Sequence, residues 1–175
     1  EWREEVDTWW AERLGMPQLT PRWVLQYWGT DVLRIGFHDD IWIASLENKM
    51  RKTRDNIVIS DVRFPNEITA IHNAGGIVVR VKRGEEPDWF DAAISTNKGP
   101  VGNASWSLSR SKLERLKIHA SETSWVGGDI DHTISNDGTI DELFEQIKNL
   151  VATNLRWTYS CWNLCWVEVE SIDKE

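Results

Sequence analysis

A chain of 175 residues and 20.3 kDa, 41% hydrophobic and 27% charged, has the length and balance to build a hydrophobic core in one globular domain. A formal charge of −8 argues against a general binder of nucleic acid polymers, because binding a phosphate backbone needs clustered Lys and Arg that release counterions. No apolar run approaches the roughly 18 residues of a membrane span, and the opening EWREEVDTWW has no signal-peptide pattern, so a cytoplasmic protein with no membrane partner is expected.

Residues 1–15 place Trp2, Val6, Trp9, Trp10 and Leu14 near helical spacing, with Gly15 as the stop. Thr20-Pro21 then supplies an N-cap followed by proline at the first helical position. Trp23, Val24, Tyr27 and Trp28 define the apolar face of this second helix, which Gly29-Thr30-Asp31 should interrupt or tighten. Asp39-Asp40 are candidates to cap a third helix with Ile43, Leu46 and Met50 inside and the basic run of residues 51–54 near its end.

Residues 56–83 carry the densest pattern. A β-rich run, Ile57-Val58-Ile59-Ser60, leads into the polar cluster Asp61, Arg63, Asn66 and Glu67, a brief helix, the stop Gly75-Gly76 and a second strand over residues 77–81. This reads as a βαβ unit, and in open parallel sheets ligands bind outside the carboxyl ends of the strands. After Arg83-Gly84 the text turns rich in Ser, Gly and Asn over residues 95–111, as in a loop or lid, with a basic helix expected over residues 109–116. His119-Ala120-Ser121-Glu122, a Gly127-Gly128 turn and a strand over residues 132–135 follow. Asn136-Asp137-Gly138 turns the chain into a helix with a Thr139/Glu142 capping box and apolar Ile140, Leu143, Phe144, Ile147, Leu150 and Val151. Short strands alternating with helices predict an α/β fold with a parallel sheet flanked by helices. The expected organisation is a domain over residues 1–154, with a lid at about residues 95–125, and a Trp-rich extension over residues 155–175.

Cys161 and Cys165 alone cannot fill a tetrahedral zinc site, and His38, His72, His119 and His132 show no metal-ligand spacing, so no metal set is assigned to protein side chains. The twelve tryptophans are most simply core or interface residues; Trp2, Trp9 and Trp10 near one end and Trp157, Trp162 and Trp166 near the other suggest termini that pack together or cover an apolar surface. Asp61 and Arg63 suit a sugar hydroxyl, a metal-bound water or a phosphate, and equally a strand-end ion pair. Arg110, Lys112, Arg115 and Lys117 suit either closure over phosphates or a solvated basic face. The amides of the Asn136–Gly138 turn could recognise a base edge or an anion, or simply cap a helix.

Taken together, RWVLQYWGTDVLR, DDIWI, NIVISDVRFPNEITAIHNAGGIVVRVKRG, HASE and ISNDGTIDELFEQIKNL resemble, in order and spacing, the bacteriophage-type deoxynucleoside monophosphate kinases of the P-loop kinase family. The resemblance covers residues 22–151 and implies transfer of the γ-phosphoryl group of ATP to a deoxynucleoside monophosphate with Mg²⁺. It implies that Arg22, Gln26, Gly29, Thr30 and Asp31 belong to the monophosphate-side helix, that Trp42 stacks on the base, and that Asp61, Arg63 and Glu67 lie at the acceptor nucleotide. By the same resemblance Arg63, Arg110 and Lys112 are the catalytic candidates, the latter two from the lid, with His119 and Glu122 at its return and Asn136, Asp137 and Gly138 beside adenine.

The chain departs from that pattern in one place. The family opens with a strand and a G-x-x-x-x-G-K-[ST] loop for the donor phosphates, and none of the eleven glycines here is followed by Lys and then Ser or Thr. The sequence starts at Glu1, without Met, in an expected helix; either a first portion is missing or the loop has been lost. The expected fold is thus a P-loop-kinase-like parallel sheet lacking its first strand and Walker A loop, and the chain alone is expected to be inactive or impaired. A non-catalytic nucleotide-binding or protein-interaction module on the same fold, possible as a homo-oligomer, and a metal-dependent enzyme using Asp61 are the alternatives.

Overall fold

The computed structural model describes residues 2–53, 55–100, 104–154 and 165–167. The chain divides into two compact units, Glu1–Lys49 and Met50–Glu175.

The first unit is helical. Helix α1 (Thr8–Leu14) starts where the Asp7 carboxylate accepts the Trp10 N–H at 3.2 Å and ends at Gly15, whose φ of 67° is the left-handed conformation a C-cap needs. Helix α2 (Pro21–Gln26) begins as the sequence predicts: Thr20 Oγ1 accepts the Trp23 N–H at 3.1 Å and Pro21 occupies the first turn. Gly29-Thr30-Asp31 neither interrupts nor tightens it. The chain continues without a break into a π-helix over Tyr27–Ile35, wider than an α-helix, with Gly36 N donating to Asp31 O at 3.0 Å and His38 N to Leu33 O at 3.0 Å. Gly36 is required where it stands, since a Cβ there would meet the Val32 carbonyl at 2.6 Å. Arg34, 3% exposed, donates to the Asp39 carbonyl at 2.8 Å, so Asp39 serves the π-segment as well as the approach to α3 (Ile41–Met50). On α3 the expected inner residues Ile43, Leu46 and Met50 are half-buried.

The second unit is α/β: β1 (Ile57–Ile59), α4 (Pro65–Asn73), β2 (Val79–Lys82), α5 (Phe90–Asn97), α6 (Ala104–Leu116), α7 (Ala120–Thr123), β3 (His132–Ser135), α8 (Ile140–Asn154) and β4 (Cys165–Val167). Both ladders are parallel: β1 pairs with β4 in the register Ile57 to Cys165, and β2 with β3 in the register Val79 to His132. β1 and β2 are therefore not ladder neighbours within a βαβ unit, as their sequence suggested. The partner of β1 comes from residues expected to form a mere extension, and local pattern carries no information on which strand completes which edge. Of that extension, Trp157, Cys161 and Trp162 lie outside the described residues. The core gathers Val62, Ile68, Ile71, Val78, Ala93, Trp125 and Val126.

Residues 95–111 are largely helical rather than a loop. α5 runs to Asn97 and α6 begins by Ala104, five residues before the expected start. The serines of α6 hid its period: Trp106, Ser109, Lys112 and Leu113 form the more buried side while Ser105, Ser107 and Ser111 face solvent. Leu113 packs against the core and the Trp106 indole N–H donates to the Thr96 carbonyl at 3.1 Å, tertiary contacts that outweigh weak intrinsic propensity. Of the expected roles for the tryptophans, core or interface, the core claims few. Among the described residues only Trp125 is fully buried, and Trp2, Trp9, Trp10, Trp28 and Trp42 are exposed.

Candidate functional site

The site grows from the way the chain leaves β1. Val62 is buried in the core at 2% exposure, which turns its neighbours Asp61 and Arg63 outward on either side. Pro65 then starts α4, where a missing N–H costs nothing, and the first turn is completed by Glu67. One oxygen of that carboxylate, Oε2, accepts the backbone N–H of Arg63 at 2.7 Å and of Phe64 at 3.1 Å. A carboxylate on two backbone donors at a helix N-terminus fixes the bend and hence the root of the Arg63 side chain.

The Arg63 guanidinium is held between two carboxylates. Its Nε donates to Asp61 Oδ1 at 3.0 Å, and Nη1 lies 3.5 Å from Oε2 of Glu122 on α7. The partners are unequal. Asp61 is 81% exposed and Glu122 21%, so the first pair is screened by water and easily exchanged while the second sits in a partly excluded environment. The arrangement suits an anion: an incoming phosphate can displace Asp61 and take a bidentate hold on a guanidinium whose other side stays on Glu122. Asp61, once released, is an acceptor for a hydroxyl or an amine.

His119 is the N-cap of α7. Its Nδ1 accepts the Ser121 N–H at 3.2 Å and lies 2.8 Å from Ser121 Oγ, an arrangement that orients the turn carrying Glu122. The fold thus brings Asp61, Arg63, Glu67 and Glu122 into one constellation, with His119 supporting it. Arg110 and Lys112 stand apart from it. Arg110 pairs with Glu114 at 2.9 Å above the Trp106 ring, and Lys112 Nζ donates to the Asp88 carbonyl.

Asn136, Asp137 and Gly138 lie between β3 and α8. Asn136 N donates to Lys82 O at 2.7 Å, and the Asp137 carboxylate accepts from Gly84 N at 2.5 Å and Ser135 Oγ at 2.6 Å. Those two bonds, the Ser135 hydroxyl foremost, hold its pKa below the usual carboxylate range. The Thr139/Glu142 capping box forms as its sequence predicts, with Glu142 Oε2 accepting from Thr139 N at 2.7 Å and Thr139 Oγ1 at 3.1 Å, and the Glu142 pKa is lowered by these bonds. Beside the turn lies an open hollow of ≈ 560 Å³ lined by Ser135, Gly138, Asp141, Glu142, Glu145 and Gln146.

The remaining candidates belong to the first unit. Arg22 pairs with Glu4, Gln26 ends α2, and Gly29, Thr30 and Asp31 sit in the π-segment, with Thr30 buried and Asp31 exposed. The Trp42 indole N–H donates to the Gly29 carbonyl at 3.0 Å while its ring stays 44% exposed, a flat face open to stacking. Sequence reasoning missed Asn97, whose side chain anchors α7, and Asp131, whose carboxylate anchors the start of β2. Each makes its bonds to backbone groups distant in sequence, for which no local pattern exists.

No solved structure matches the chain. A protein of Acanthamoeba polyphaga mimivirus named as a deoxynucleotide monophosphate kinase is 38% identical over 146 residues, covering 75% of this chain and 61% of its own. The deoxynucleoside-5'-monophosphate kinase of Escherichia phage T5 is 44% identical over 50 residues, 28% of this chain and 20% of its own. The chain therefore spans about three-fifths, or less, of the length of these curated relatives. The family model for deoxynucleotide monophosphate kinase matches residues 14–105, which include both the π-segment and the Asp61–Glu67 turn. On that match the chain belongs to the deoxynucleotide monophosphate kinase family.

Proposed function

We propose that this chain forms the acceptor side of a deoxynucleoside monophosphate kinase, on a P-loop-kinase-like fold, whose overall reaction passes the γ-phosphoryl group of ATP to a dNMP and yields a dNDP. The observation that carries the reading is the Arg63 guanidinium, fixed at its root by Glu67 and on one side by half-buried Glu122, with an exposed and exchangeable partner in Asp61. In this reading the monophosphate takes the place of Asp61 on Arg63, and Asp61 turns to the sugar or base. Within the second unit Arg110 and Lys112 exchange Glu114 and Asp88 for phosphate oxygens, and Arg22, Gln26, Thr30 and Trp42 are proposed, by the family resemblance alone, as the first unit's own nucleotide-contacting residues. The Asn136–Gly138 turn and the hollow beside it receive the adenine of ATP.

ATP would supply the transferred group and Mg²⁺ would neutralise part of the charge on its phosphates. The residues present do not fit the donor phosphates: no glycine precedes a Lys-Ser or Lys-Thr pair, and Asp61 faces a guanidinium rather than further carboxylates that would share a cation. Since charge stabilisation is nearly all a protein contributes to phosphoryl transfer, these 175 residues alone should bind dNMP and turn it over very slowly or not at all. Calorimetric titration with each dNMP, without metal, tests the acceptor reading, and the absence of binding by all four bases would sink it. A coupled ADP-release assay tests the second part, and turnover at ordinary kinase rates would overturn that.

The exposed Trp2, Trp9, Trp10 and Trp28 favour a second reading, a protein-interaction module on the same fold or a homo-oligomer. Gel filtration at several concentrations separates the two, since an interaction module assembles as concentration rises.

A further inference from the structure

Asn97, the last residue of α5, uses its carboxamide on a different helix. Its Nδ2 donates to the Thr123 carbonyl at 2.7 Å and the Val126 carbonyl at 2.8 Å, with the Ser124 carbonyl at the margin, 3.5 Å away. A carboxamide nitrogen has two N–H groups, so the two short contacts use both. The carbonyls it takes lie at and just beyond the C-terminal end of α7 (Ala120–Thr123), in a turn also closed by the Val126 N–H donating to the Thr123 carbonyl at 3.1 Å. Thr123 and Val126 are themselves buried, so this clamp fixes the end of α7 against the core. Directly before Thr123 stands Glu122, which holds Arg63.

The other side of Asn97 reaches α6. The Thr96 carbonyl accepts the Trp106 indole N–H at 3.1 Å, and Arg110 packs over the same Trp106 ring. Side-chain contacts joined by the peptide links Thr96-Asn97 and Glu122-Thr123 thus lead from the helix bearing Arg110 and Lys112, through the end of α5 and the end of α7, to the guanidinium at the turn after β1.

We propose that Asn97 is a positioning residue: by pinning α7 it sets the orientation in which Glu122 presents Arg63, and it links that orientation to the placement of α6. Its consequence for nucleotide binding rests on Arg63 being the phosphate ligand of the acceptor reading, but the linkage itself exists in the ligand-free protein. Spatial continuity alone does not establish coupling, so the test is a double-substitution cycle.

The readout is the Arg63 Nη–H resonance, on the side of the guanidinium that faces Glu122, in the ¹⁵N-labelled full chain, assigned with Arg63→Lys. Asn97→Ala should shift this signal and speed its exchange with water in the same direction as Glu122→Gln, and the double variant should move it no further than Glu122→Gln alone. The dNMP dissociation constant should rise roughly tenfold in each single variant and no more in the double. An unmoved Arg63 signal in Asn97→Ala, with a shifted one in Glu122→Gln, overturns the proposal, and so do additive effects. If Asn97→Ala does not fold, Asn97→Ser, whose short hydroxyl keeps at most one of the bonds, takes its place in the cycle. Should the unsubstituted chain bind no dNMP, the acceptor reading fails while the resonance still decides the linkage.

Discussion

Removing the Asp131 carboxylate should loosen the sheet that carries α8. Asp131 precedes β3, and its Oδ2 accepts the Val78 N–H at 2.6 Å and lies 2.9 Å from His72 Nε2 at the end of α4. Val78 is fully buried, so in Asp131→Ala its N–H loses a charged acceptor that no other side chain replaces. An unmade bond of this kind costs ~1–3 kcal/mol, and the partly exposed His72 contact adds ~0–1 kcal/mol, giving ~1–4 kcal/mol. For a chain of this size that lowers the melting temperature by roughly 2–16 °C. Burial tends to raise the Asp131 pKa, but the Val78 N–H and His72 outweigh it and leave the folded value below the usual aspartate range. The stabilisation is then fully present above the unfolded-state pKa and lost as pH falls through the folded one. Circular-dichroism melts of the wild type and of Asp131→Ala should therefore differ most near neutrality and converge on acidification, with Asp131→Asn in between. A neutral-pH difference below about 0.5 kcal/mol, within the range of ordinary surface changes, would refute the reasoning, as would a gap that does not depend on pH.

Arg63→Lys keeps the charge but loses the planar fork; dNMP affinity should fall at least roughly tenfold by calorimetry, while the melting temperature stays within a few degrees, because the ion pairs it breaks are partly solvated. Trp125→Ala removes the largest buried side chain of the core along with a face on which the Arg80 guanidinium stacks 5.0 Å from the ring centroid; a loss of ~3–5 kcal/mol is expected in urea unfolding. Thr139→Ala should cost ~1 kcal/mol through loss of the cap, read in the same assay, and should raise the Glu142 pKa toward its ordinary value, measured by NMR titration.

Local chemistry was legible wherever the cause lies within a few residues. Thr20-Pro21, Gly15 and the Thr139/Glu142 box set helix ends through side-chain oxygens, a fixed φ and a left-handed turn, none of which needs a distant partner. The same holds for Asp61, Arg63 and Glu67, gathered by one bend after one strand. The extent of α6 was hidden because its serines carry no period, and only Trp106 and Leu113 reaching Thr96 and the core decide it. The widening at Gly29-Thr30-Asp31 was hidden too, since a π-turn and an α-turn draw on the same residue types.

By itself, then, the sequence determined β1, α4, β2, β3 and α8 of the second unit, the caps of α1, α2 and α8, and the family to which the chain belongs. Tertiary structure alone decided that β1 pairs with β4 rather than β2, that Glu122 meets Arg63 across 59 positions, and that Asn97 and Asp131 fasten distant backbone groups. The physical reason is one of range. Propensity, capping and periodicity act between residues close along the chain, whereas strand order, ion-pair choice and the satisfaction of buried N–H and carbonyl groups are settled only when distant segments share the same low-dielectric space.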